Sequence, residues 1–161
     1  MYVSPPDRPD RMYRNGRPAL PHFDFDELLY LRFGLDDFLG GQLAPAAIRV
    51  PGQSVNRGSL SRPEDVLFHP EGNYNGLGAV EFKVEDIPGT IVGDQDSTFM
   101  FFMRHKPLEE NYSHSEIWSD KPPGTGEGRK PSKSVGLKFR AQLCKQIRED
   151  RIRIPAANNR L

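Results

Sequence analysis

Fifteen prolines and 15 glycines punctuate the 161-residue chain. Their placement limits how long any regular element can run, because proline fixes φ and removes a donor while glycine favours turns. From Gln42 to Asn75 the breaks at Pro45, Pro51, Gly52, Gly58, Pro63, Pro70 and Gly72 leave only short extended pieces, at Ala47–Val50 and Val66–Phe68. Longer elements must lie in the segments that these residues spare.

Residues 1–22 hold five Pro and four Arg with few large apolar groups. They bury too little surface to offset the entropy of ordering and read as an extended arm. Asp24 then opens a segment in which Glu27 stands at the third helical position and Phe23 and Leu28 flank the pair as a hydrophobic staple. This pattern predicts a helix with Phe25, Leu28, Leu29 and Phe33 on one face, ended by Gly34, and a second short helix over Asp36–Leu39. Ala79–Ile87 alternates Val80, Phe82 and Val84 with Glu81, Lys83 and Glu85, the period of a half-buried strand. Thr98–Arg104 is apolar on both faces, which predicts a central strand covered on each side. Asn111–Trp118 reads as a third strand, adjacent to the other two in an antiparallel meander.

Residues 119–134 contain no aliphatic or aromatic side chain but three Pro and three Gly, and read as a flexible linker. Beyond it, Phe139, Leu143 and Ile147 mark one stripe of a basic amphipathic helix over about 137–152, which Pro155 stops. The expected organisation is an arm at 1–22, a core domain at 23–118, the linker, and a basic C-terminal helix and tail at 135–161. The expected fold is α+β: a small, mostly antiparallel sheet with an N-terminal and a C-terminal helix, a barrel-like closure of the sheet being the alternative.

Low hydrophobic content, 36% with a mean hydropathy of −0.64, is offset by 16 aromatic residues able to seed a core. No apolar run approaches the ~18–20 residues of a membrane span, and no apolar segment follows a basic start, so the sequence predicts a cytoplasmic protein without membrane contact. Cys144 stands alone, outside any disulfide or multi-cysteine metal framework. The 22 basic and 22 acidic residues sum to zero, yet residues 121–161 carry 11 Lys and Arg against three acids, whereas residues 1–120 carry 11 against 19. The chain is a dipole along its sequence. Lys138, Arg140, Lys145, Arg148 and Arg151 cover the polar surface of the expected C-terminal helix and are the candidate nucleic-acid contacts.

Glu81-Phe82-Lys83 on a strand, with Pro63-Glu64-Asp65 upstream, resembles the acid and Glu-x-Lys arrangement of metal-dependent restriction-type nucleases. The resemblance implies that Asp65 and Glu81 hold a divalent metal while Lys83 activates the attacking water. The helix expected after that strand is replaced by an aromatic strand, and Glu-x-Lys also arises on solvated strand faces as a cross-strand charge pattern. His105, His114 and Glu116, together with His69, form a second candidate set, either as metal ligands or with His114 as an acid–base group. Around Ser54, Ser59 and Ser61, the polar stretch containing Asn56, Arg57 and Arg62 is either a phosphate-binding loop or, through Ser61 and Glu64, a capping box. No Gly-x-Ser-x-Gly elbow supports serine nucleophile chemistry. The leading functional expectation is a non-enzymatic binding or scaffold component of a complex, contacting a protein subunit or RNA or DNA through the arm and basic helix. The alternative is a small metal-dependent hydrolase, a nuclease, with a divalent metal as cofactor.

Overall fold

A computed structural model describes residues 8–68 and 76–157. The main sheet has seven strands in the order β6-β7-β8-β4-β1-β5-β9, every neighbouring pair antiparallel. Its strands are β1 (Leu28–Phe33), β4 (Gln53–Arg57), β5 (Gly78–Lys83), β6 (Thr90–Val92), β7 (Thr98–His105), β8 (His114–Asp120) and β9 (Ile152–Ile154). Two short strands, β2 (Phe38–Leu39) and β3 (Gln42–Leu43), form a separate hairpin, and the helix α1 spans Lys133–Gln146. Among the described residues α1 is the one α-helix, and the sheet is open, with β6 and β9 at its edges. The fold is small and mostly β.

This overturns the expected N-terminal helix and the barrel-like closure. The Asp24 pattern makes only a turn, in which Glu27 N–H donates to the Asp24 carbonyl at 3.2 Å, and Leu28–Phe33 is a strand. Two physical reasons account for it. The Glu27 carboxylate is taken by Arg57 and Ser59 and so is not available to a helix N-terminus, and Phe25, expected on the apolar helix face, is 78% exposed. Leu29, Leu31 and Phe33 instead alternate onto the core face of a strand, with Tyr30 and Arg32 on the other.

The expected meander is also revised, because β4 and β1 lie between β8 and β5, and the consecutive neighbours are β6, β7 and β8. β5 stops at Lys83, whose N–H donates to Asp86 Oδ2 at 2.8 Å as the chain enters a 3₁₀ turn. Asp36–Leu39 holds part of a 3₁₀ turn and the start of β2 rather than a helix.

One face of the sheet packs on α1. Phe139 stacks on Phe101 with ring centroids 3.9 Å apart, and Val135, Leu143 and Ile147 complete the apolar stripe against Leu29, Leu31, Val80, Phe82 and Ile117. Ser132 Oγ accepts the Val135 N–H and caps the helix, so it begins four residues before Leu137 and ends before the strand β9. On the opposite face a smaller cluster of Tyr30, Val66 and Ala79 lies under the 3₁₀ turn Pro63–Leu67.

The segments outside the sheet are tied to it. Met12 is buried, Tyr112 Oη donates to the Pro18 carbonyl at 2.7 Å, and Arg57 donates to the carbonyls of Leu20 and His22. After β8, the buried Asp120 carboxylate accepts the Lys121 and Gly126 N–H groups, and Ser119 exchanges two hydrogen bonds with the Arg129 backbone.

Candidate functional sites

The sheet face turned away from α1 carries a row of polar residues set by strand register. Asn56 on β4 lies opposite both Tyr30 on β1 and His114 on β8, and Tyr30 lies opposite Glu81 on β5. Two residues along each strand and on the same face, Ser54 pairs with Glu116, which pairs with Arg104 on β7. The row borders a pocket of about 110 Å³ lined by Tyr30, Arg32, Ser54, Asn56, Asn111 and His114, with Val66 and Phe68 on its apolar wall.

Hydrogen bonds fix the pocket's polar groups. His114 Nδ1 lies 2.8 Å from the Lys106 carbonyl, which can only accept, so the neutral ring carries its proton there. Nε2 then presents a lone pair to Ser54 Oγ at 3.2 Å. Asn111 Nδ2 donates to Asn56 Oδ1 at 2.8 Å and Ser113 Oγ donates to Asn111 Oδ1, while the buried Asn56 Nδ2 has no acceptor. Tyr30 titrates above its ordinary value because burial disfavours the phenolate, and Glu81 adds repulsion.

The two metal-ligand sets read from the sequence do not assemble here. Asp65 is 1% exposed, and its carboxylate is spent on Arg11, at 2.6 and 2.9 Å, and on the Arg62 N–H at 3.0 Å. Glu81 and Lys83 share a strand face as expected, but Glu81 pairs with Arg153 at 3.6 Å and Lys83 with Glu85 at 3.6 Å. His105 and His114 lie on opposite faces: His105 is the cross-strand partner of Ser115, so its side chain shares Ser115's face, while His114 and Glu116 share the other. Glu116 pairs instead with Lys106 at 3.5 Å. Among the described residues no group of three His, Cys, Asp or Glu side chains is placed to hold a metal ion, and His69 lies outside them.

His105 is a structural residue. Leu20 N–H donates to its Nδ1 at 2.8 Å, so Nε2 carries the proton and donates to the Tyr112 carbonyl at 2.6 Å. Burial, the leading cause, holds its pKa below the ordinary 6.5. The Ser61–Glu64 box is replaced by Asp65, which caps Arg62, while Ser61 Oγ donates to the Arg57 carbonyl. Ser54 and Asn56, expected in a loop, stand on the central strand β4. The alternation Ser54-Val55-Asn56 was the signal for that strand, but Pro51, Gly52 and Gly58 crowd it on both sides.

The second site is the outward surface of α1. With its apolar stripe on the sheet, the helix and its flanks expose Lys130, Lys133, Lys138, Lys145 and Arg148. Arg140 is half-buried, its Nε donating to the Ile48 carbonyl at 3.0 Å, and Lys138 Nζ donates to the Val92 carbonyl at 2.9 Å. Arg151, also half-buried, follows in a 3₁₀ turn after the helix. Residues 128–148 contain no acid, and among the described residues no carboxylate pairs with any of these seven side chains.

No protein-family model matches the chain, and no curated protein or solved structure matches it. No helix among the described residues is long and apolar enough to cross a membrane.

Proposed function

We propose that the protein is a binding component of a larger assembly that engages nucleic acid through the outward surface of α1. The observation that supports this reading is the acid-free run of exposed cations on a helix whose apolar stripe is already occupied. Among the described residues no carboxylate pairs with these charges, and phosphates are the partners that would neutralise them with release of counterions. The expected role of the arm is revised within this reading: residues 8–22 spend their carbonyls and Met12 on the core, so contact falls to the helix.

The test is fluorescence anisotropy of labelled single-stranded and duplex DNA and RNA against the full chain. With four to five phosphates contacted, log Kd should rise with log salt at a slope of about 4. Reversing Lys133, Lys138, Lys145 and Arg148 to Glu should weaken binding by more than tenfold and leave the melting temperature near that of the wild type. Absence of binding at about 50 mM salt, or binding that the reversal leaves intact, overturns the proposal.

A further inference from the structure

We propose that Ser54 and His114 form a nucleophile and general-base pair that hydrolyses small acyl esters in the pocket on the sheet face away from α1. Three features of the geometry converge. The Ser54 Oγ to His114 Nε2 separation of 3.2 Å is within reach for proton transfer. The Lys106 carbonyl holds the imidazole by Nδ1 at 2.8 Å, which fixes the tautomer whose Nε2 is basic, the orienting role that the third member of a catalytic triad performs. Both side chains stand on adjacent, register-paired strands in the middle of a sheet, so their relation does not depend on a mobile loop.

The pocket supplies access and room. Ser54 is exposed, so an ester can reach its oxygen. A volume of about 110 Å³ suits an acetyl-sized acyl group rather than a long chain. Asn56, in register with both Tyr30 and His114, lines the same pocket. Glu116 is engaged by Lys106 and does not compete for the imidazole.

In the reaction, Ser54 Oγ attacks the ester carbonyl carbon while His114 Nε2 takes the hydroxyl proton, and the carbonyl π pair moves onto oxygen. As the tetrahedral adduct collapses, the bond to the alcohol oxygen breaks and His114 returns its proton to that leaving group, giving acyl-Ser54. Water then adds to the acyl carbon as Nε2 takes its proton. The second collapse breaks the bond to Ser54 Oγ, which regains a proton from His114 as the carboxylic acid departs.

The full chain with p-nitrophenyl acetate tests this directly. The expected result is a burst of p-nitrophenol approaching one per chain, with peptide mapping placing the acetyl group on Ser54. Ser54→Ala should abolish the burst, and His114→Ala should slow acylation by about 10²–10⁴-fold. The proposal is overturned if no acetyl group appears on Ser54, if Ser54→Ala retains the burst, or if folded His114→Ala acylates Ser54 at the wild-type rate.

Discussion

Single polar side chains hold the N-terminal region to the sheet. Arg57 lies over the Phe23 ring at 3.8 Å and pairs with Glu27 at 2.8 Å, and both partners are almost fully buried. Burial, the largest influence on Glu27, raises its pKa, but the hydrogen bonds from Arg57 and Ser59 together outweigh it and leave the carboxyl below its ordinary 4.5. His105 closes the same region from the β7 side as a neutral ring. Its folded pKa is depressed, so the unfolded chain binds the proton more readily. The stability this residue contributes is therefore complete above about pH 6.5 and lost as pH falls below it, and Glu27's contribution goes later, below about pH 4.5. Urea unfolding should show stability falling between about pH 7 and 5.5, by at most ~1.4 kcal/mol per pH unit from this residue. His105→Asn, which keeps an acceptor for the Leu20 N–H, should flatten that limb. An unchanged pH slope in the variant would remove His105 from the account.

At the scale of elements, what holds the fold together is the apolar seam between α1 and the sheet. Phe139 is fully buried and stacked on Phe101, so Phe139→Ala should cost about 3–5 kcal/mol and lower Tm by on the order of 10 °C. Leu137, two residues away but 54% exposed, should change stability by no more than ~0.5 kcal/mol when replaced by Ala. Calorimetry on the two variants checks that Phe139, and not Leu137, carries the seam. This seam was legible in the sequence, since Phe139, Leu143 and Ile147 recur at helical spacing. β5, β7 and β8 were legible too, with boundaries shifted by a few residues. β1 was not, because an acid three residues after Asp24 marks a helix start only when its carboxylate is not taken by a distant arginine, and Arg57 is 30 positions away. The docking of β9 was equally hidden. It depends on Gly78, where an added Cβ would meet the Ile154 carbonyl and the Phe33 ring, a fit between segments that no local pattern records. The candidate pocket was legible in parts: His114 was named as an acid–base group and Ser54 as a hydroxyl of a polar stretch, but that the two meet follows from the pairing of β4 with β8.

For the molecule as a whole, a net charge of zero conceals an acidic body and a basic end, and such halves have two ways to neutralise each other. If electrostatic attraction held the basic end in place, added salt would weaken the fold. The contacts argue otherwise, because among the described residues the ion pairs joining residues 121–157 to the body are Arg129–Asp120 and Arg153–Glu81, and both arginines are more than half exposed. Asp120 is buried and Glu81 mostly so, but with each arginine in solvent, at 3.5 and 3.6 Å, the pairs contribute on the order of 1 kcal/mol each. The apolar seam is insensitive to screening, while a phosphate contact is steeply sensitive to it. One titration therefore separates the two uses of the charge. Between about 50 and 500 mM KCl, Tm should move by no more than a few degrees while nucleic-acid affinity falls by more than a hundredfold. A Tm that drops in step with affinity would mean that the basic end is held by the body's own carboxylates, and that its charge is spent on folding rather than on a partner.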